Sequence, residues 1–312
     1  MKNTEQTAMR FQSLKTNSTL AKFDTLLQEP EVKAIIKLAL AEDRYRNDIT
    51  TQRIIPLHLE SKAVLLAKNS GVLAGIGLFE VVFKHVNPRT EITLFKYDST
   101  DISSGDIVAE VSGNTRSILR AERTALNFIG HLSGIASLTS QYVERIKGTR
   151  ACISDTRKTS AGQRLLEKYA VACGGGQNHR QNLSDGILIK DNHLAALAPC
   201  GKSLTEIVIR AKTNNDARHL VEVEVNSQSQ AEEAAAAGAD ILLLDNMSIA
   251  EMRSTIDKLY GKVRFEASGG ITLQNVREIA ETGVDTISIG ALTHSVKVFD
   301  FSLEVLSDSE HP

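Results

Sequence analysis

The sequence predicts an α/β protein in two parts, a layered N-terminal region and then an α/β barrel. Three observations predict it. From Ala151 onward the chain repeats strand, loop, helix. Three successive apolar stretches there end at Glu224, Asp245 and Glu266, spaced by 21 residues each, about one compact βα unit. Before Ala151, short alternating stretches flank a helix-like segment, as in strands with helices set to one side.

Residues 1–22 are polar and carry one acid, Glu5, against Lys2, Arg10, Lys15 and Lys22. Transit peptides share that bias, but one arginine is few, and a frayed or locally helical extension is the expectation. From Asp24 to about Asp43, the apolar positions Leu26, Leu27, Val32, Ile35, Ile36, Leu38, Ala39 and Leu40 suggest one amphipathic helix or two short ones. NDIT (47–50) and Pro56 break that pattern. KAVLLAKN (62–69), EITLFKY (91–97) and DIVAEVSG (106–113) read as strands, with LFEVVFKHV (78–86) helical between the first two. SSGD (103–106) is an ordinary bend signal. Residues 118–146 form the longest helical pattern; Ala125, Leu126, Phe128, Ile129, Leu132 and Ile135 make its buried stripe, and Gly134 reads as a break. Arg120 and Arg123 flank Glu122 near its start, which taken alone is an intrahelical ion pair.

Strands are then expected at 151–154, 186–190, 220–225, 241–245, 263–268 and 286–290, with helices at 161–172, 203–213, 227–237, 248–259 and 272–282. Their apolar runs are those of strands buried on both faces. A doubly wound sheet is the rival topology. Polar groups ending nearly every strand favour the barrel, whose active sites are built at that face.

Composition narrows the function. The chain has 312 residues, is 42% hydrophobic and 24% charged, and carries a formal net charge of −2. These are the proportions of a soluble globular protein with a sizeable core, and any basic site must be local. No tryptophan and 4% aromatics argue against a nucleic-acid stacking surface. Cys152, Cys173 and Cys200 form no CxxC, so neither a disulfide framework nor a thiolate zinc site is expected, and the compartment should be reducing. No apolar run approaches the ~20 residues needed to span a bilayer.

Residues 155–193 hold Arg157, Lys158, Arg164, Lys168, His179, Arg180, Lys190 and His193, interrupted by Gly174, Gly175 and Gly176. The cations sit in tight clusters beside strand ends or a glycine turn, where loops converge on one pocket for an anion with several charges. A basic surface patch is the plainer reading. Glu224 and Asp245, at neighbouring strand ends, suit Mg²⁺ held through water or sugar hydroxyls. ASGGI (267–271) and SIGALTHS (288–295) follow the last two strands, and their glycines let backbone N–H groups approach a phosphate.

The motifs AERTALN (121–127), DTRKT (155–159), CGGGQNHR (173–180), LIKDNH (188–193), VEVEV (221–225), LLDNM (243–247), ASGGI (267–271) and IGALTH (289–294) stand together in order. With them the chain resembles the quinolinate phosphoribosyltransferase family from about Asp24 to about Val305. That resemblance implies an N-terminal α/β sandwich domain (23–131) and an incomplete, TIM-like α/β barrel (132–297), after an extension (1–22). The strand at 298–305 would return to the N-terminal sheet. It implies a cytoplasmic enzyme of NAD biosynthesis that joins quinolinate to phosphoribosyl pyrophosphate with Mg²⁺, releasing nicotinate mononucleotide, pyrophosphate and CO₂. It implies homodimers, or assemblies as large as hexamers, whose sites are shared, with Arg123 reaching the partner's pocket. Arg157, His179, Arg180 and Lys190 would surround quinolinate, while Lys158 and Thr156 would face the donor. Glu224 and Asp245 would hold Mg²⁺ and the ribose. Ser268, Gly269, Gly270, Ile289, Gly290, Ala291 and His294 would cradle phosphate. No nucleic-acid or membrane partner is implied.

Three alternatives differ in chemistry: the paralogue of molybdenum-transport operons, a Schiff-base aldolase using Lys190, and a non-enzymatic binder of phosphorylated metabolites. Turnover of quinolinate with Mg²⁺ separates the paralogue and the binder from the leading reading, and borohydride trapping with candidate carbonyl substrates tests the aldolase.

Overall fold

The computed structural model describes residues 25–215 and 219–306, and the extension 1–22 lies outside them. The chain divides into two compact units. The first comprises the described residues up to Ser140, Thr159–Gly175, and the described residues from Thr293 on. The second comprises Gln141–Lys158 and Gly176–Leu292.

The first unit is built on a four-stranded antiparallel sheet, ordered β12-β1-β5-β3. Its strands are β1 (Glu60–Ala67), β3 (Glu91–Leu94), β5 (Ile107–Asn114) and β12 (Phe301–Val305). The returning strand pairs Leu303 with Leu65. A two-stranded ribbon joins β2 (Gly71–Val72) to β4 (Asp101–Ile102). Helices cover the apolar positions. Pro30–Glu42 buries Val32, Ile36 and Leu40, a stripe at steps of four, and Ile76–Val86 buries Phe79 and Phe83, whose rings lie 4.7 Å apart. The NDIT stretch does more than end a helix. Asp48 accepts the Thr51 N–H at 3.0 Å and so caps a new short helix, Ile49–Ile54.

Gly134 is not a break. Thr115–Arg145 is one helix of 31 residues. A methyl group at Gly134 would meet the Lys297 carbonyl at 2.4 Å, and one at Gly130 would meet that of Phe299 at 2.8 Å. These glycines let the segment leading to β12 pass close against the helix, a packing need that a sequence scan reads as a helix weakness. The helix Arg164–Cys173 also belongs to the first unit. It is tied there by Tyr169 donating to Asp98 at 2.7 Å and by buried Glu167, 2.9 Å from His131.

The second unit is a six-stranded parallel sheet: β6 (Cys152–Ser154), β7 (Ile187–Ile189), β8 (Val221–Val225), β9 (Ile241–Asp245), β10 (Arg264–Ser268) and β11 (Thr286–Ser288). Its order is β6-β11-β10-β9-β8-β7. That is the ring 6-7-8-9-10-11 cut once, between β6 and β7. A doubly wound sheet would instead reverse direction at an internal switch point. The barrel is therefore incomplete, and Gln177 bridges to Ser154 in parallel beside the cut. Ser203, Ser227 and Ser248 each accept a first-turn N–H and start the following helix. No helix among the described residues is long and apolar enough to cross a membrane.

The even spacing of the three acids conceals a shift in register. Glu224 lies opposite Leu243, as does Glu266, whereas Asp245 pairs with Ser268. Asp245 thus stands two residues farther along its strand than the other two.

Candidate active site

A cavity of about 610 Å³ opens at the carboxyl ends of these parallel strands, and all its lining residues belong to the second unit. Thr156, Arg157 and Lys158 reach it from the end of β6. Thr156 Oγ1 accepts the Lys158 N–H at 3.0 Å, shaping that turn. His179 and Arg180 come from the segment beside the cut. Fully buried Asp155 clamps that segment, accepting the His179 N–H at 2.9 Å and the Asn178 amide at 2.6 Å. Lys190, at the end of β7, pairs with Glu224 on β8. His193 is accounted for locally: its Nδ1 accepts the Lys190 N–H at 2.9 Å and caps the helix Asp191–Leu197, which the sequence reading did not include.

The electrostatics favour an anion. Among the described residues, Arg157 Nε is buried without a hydrogen-bond partner. Desolvation and the Arg157 charge pull the Arg180 guanidinium below its usual value, with Glu222 and Asp185 opposing. Two guanidinium groups held near one another in a partly dry pocket are stabilised by a ligand bearing negative charge. Opposite them, Asp245 accepts from Asn246 Nδ2 at 2.8 Å. Ser268 ends β10 and Gly269 and Gly270 follow it, with φ of 88° and 60° at the two glycines, a region open to few other residues.

Five of the residues expected at the site are not on this cavity. Ile289 is buried, and its N–H donates to the Ser154 carbonyl at 2.9 Å. Gly290 and Ala291 follow Ser288 but do not line the space. Arg123 and His294 lie in the first unit, where Arg123 lines a separate cavity of about 520 Å³ and His294 Nδ1 is 2.6 Å from Ser295 Oγ.

Glu222 and Glu266 are the residues that sequence reasoning gave no role. His179 Nε2 lies 3.1 Å from Glu222 Oε2 and 3.5 Å from Glu266 Oε1, and the three ligand-type atoms fall within 4.8 Å of one another. Among the described residues, Oε1 of Glu222 and Oε1 of Glu266 are buried with no hydrogen-bond partner. Two buried carboxylates behind one imidazole form a donor set that a shared proton or a small cation would satisfy. Burial first, and the Glu222 charge second, push Glu266 up from 4.5 to about 7, against His179, Ser288 and Lys190. The signal was present in VEVEV. Val221, Val223 and Val225 are buried, and so is Glu222, which leaves the glutamates the barrel interior.

Residues 48–133 match the N-terminal domain of quinolinate phosphoribosyl transferase, and residues 135–304 match the C-terminal domain of the same family. The chain belongs to the quinolinate phosphoribosyl transferase family. It is 39% identical over 282 residues to the probable nicotinate-nucleotide pyrophosphorylase (carboxylating) of Bacillus subtilis, covering 90% of this chain and 95% of the relative. It is 38% identical over 294 residues to the chloroplastic nicotinate-nucleotide pyrophosphorylase (carboxylating) of Arabidopsis thaliana, covering 88% and 83%. The crystal structure of NadC from Streptococcus pyogenes superposes with a TM-score of 0.83 at 43% identity, covering 88% of this chain and 97% of that one. The two quinolinate phosphoribosyl transferase domains meet at residues 133–135, inside the unbroken helix Thr115–Arg145.

The raised Glu266 carboxyl gives the chain a measurable pH signature. A folded-state value above the unfolded one means that the neutral acid's advantage is full below about 4.5 and lost as pH rises through about 7. Glu266→Gln removes the ionisation. At pH 8 the variant should melt a few degrees above wild type, on the order of 1–2 kcal/mol, and the gap should close toward pH 4.5. A variant that melts lower at pH 8 would show that the charged carboxylate is the stabilising form.

Proposed function

We propose that the chain transfers the phosphoribosyl group of phosphoribosyl pyrophosphate to quinolinate with loss of CO₂, forming nicotinate mononucleotide for NAD biosynthesis. One observation carries this reading. A single cavity sets Arg157, Arg180 and Lys190 together with two strand-end acids and a glycine loop.

Quinolinate is a dicarboxylate, and the planar guanidinium groups of Arg157 and Arg180 suit its carboxylates, with His179 and Lys190 completing the cluster. An arriving carboxylate offers Lys190 an alternative to Glu224, freeing that acid for the donor. Glu224 and Asp245 would bind the ribose hydroxyls, and Ser268, Gly269 and Gly270 would hold phosphate. Thr156 and Lys158 would face the departing pyrophosphate. Ile289 is left out of the phosphate cradle because its N–H is already used. The residues also fit Mg²⁺: Glu224 and Asp245 offer hard carboxylate oxygens at the cavity, and both are partly accessible. When bound, the ion would shield pyrophosphate charge and order the ribose. The ring nitrogen forms its bond to the ribose C1′ as the C1′–pyrophosphate bond breaks. The pyridinium then accepts the electron pair left at C2 when CO₂ departs, and a proton takes the vacated position. No side chain need form a covalent bond, so positioning and electrostatics carry the rate.

Lys190 is engaged by Glu224 and offers no free amine, which disfavours the Schiff-base alternative. In this reading Arg123 would reach the neighbouring subunit's quinolinate pocket in a homodimer, or in a larger assembly built from dimers. A cytoplasmic site of action is proposed from the likeness to the Bacillus subtilis relative, although the Arabidopsis relative is named as chloroplastic. The test is turnover: nicotinate mononucleotide should form only when quinolinate, donor and Mg²⁺ are all present.

A further inference from the structure

Asn246 is one of three non-glycine residues with positive φ among the described residues, at 53°. Such a conformation costs free energy and persists where surrounding contacts hold it. Three contacts do so here. The register pairs Asp245 with Ser268, and the Asn246 N–H continues the ladder one step farther, donating to the Ser268 carbonyl at 2.9 Å. Its side-chain Nδ2 donates to Asp245 Oδ2 at 2.8 Å. Its Oδ1 packs on Gly269 so closely that a methyl group there would lie 2.2 Å away.

We infer that Asn246 is a positioning residue that fixes the Asp245 carboxylate relative to the Ser268–Gly270 loop, so that sugar and phosphate of the donor are met in one preset geometry. This rests on the reading that Asp245 and the loop form the donor side of the site. Asn246 lines the same cavity. Its amide occupies one carboxylate oxygen and leaves the other for a ligand hydroxyl. It also gives a reason for glycine at 269 beyond that residue's own φ of 88°. A hydrogen bond that aims a carboxylate, set on the ends of two adjacent strands, is the kind of support that keeps a site within a fraction of an ångström of its working geometry.

The decisive variant is Asn246→Gly. Glycine accepts the positive φ and keeps the N–H to Ser268, so the fold should be retained while the amide is lost. Donor binding with Mg²⁺ is measured by calorimetry and donor KM by kinetics, with quinolinate binding and thermal melting alongside. The expected result is donor KM and Kd raised about tenfold or more, quinolinate Kd within about twofold, and an unchanged melting temperature. Asn246→Asp, similar in size but without the donor N–H, should show the same loss. Normal donor binding by Asn246→Gly, or its restoration by Asn246→Asp, overturns the inference while the functional reading stands. Wild-type protein that binds no donor at all overturns both.

Discussion

Replacing Lys158 with alanine should lower turnover roughly 30- to 1,000-fold, a loss of about 2–4 kcal/mol in transition-state stabilisation. Lys158 stands one residue after Arg157 but is the more exposed of the two, in the turn that follows β6 and lines the cavity. In the proposed reaction, negative charge grows on the pyrophosphate oxygen as its bond to C1′ lengthens. An ammonium aimed there acts mainly in the transition state, so kcat should fall far more than quinolinate affinity. Turnover within about twofold of wild type would remove Lys158 from the mechanism.

Arg123→Ala should weaken quinolinate binding roughly 10- to 150-fold, the worth of one charge-assisted pair at ~1.5–3 kcal/mol. Arg123 lies in the first unit, and the cavity holding Arg157 and Arg180 is in the second. If it completes the neighbour's pocket, mixing Arg123→Ala with Lys158→Ala under subunit exchange gives hybrid dimers with one doubly defective site and one intact site. Activity should then rise toward about one quarter of wild type at statistical mixing. If Arg123 served its own chain, every hybrid site would keep one defect. Exchange without recovered activity would therefore remove the shared site.

The second unit was the more legible part in sequence. Strands buried on both faces leave apolar runs, and the polar residues at or just past their ends mark the face where a site is built, so Arg157, Lys190, Glu224 and Asp245 stood out. What was lost depended on contacts distant in the chain. The 21-residue spacing of the acids holds, yet the register sets Asp245 two residues beyond Glu224 and Glu266, because spacing does not report how strands are staggered. Glu222 reads as the polar face of VEVEV, normally turned to solvent. Only closure around an interior puts it beside His179 and Glu266. Gly134 likewise reads as a flaw in a helix until the segment before β12 is laid across it. Asn246 gives no signal at all in sequence, since its role follows from one left-handed φ and a glycine on the next strand.

In the proposed reaction the cation-lined cavity joins quinolinate to the phosphoribosyl donor and expels one carboxyl group. Quinolinate carrying ¹³C in its 2-carboxyl group, incubated with the protein, phosphoribosyl pyrophosphate and Mg²⁺, tests it directly. Unlabelled nicotinate mononucleotide, labelled CO₂ and pyrophosphate should form in equal amounts, and none of them after chelation of the metal. Quinolinate left intact while the donor binds, or a product that keeps its label, would contradict it.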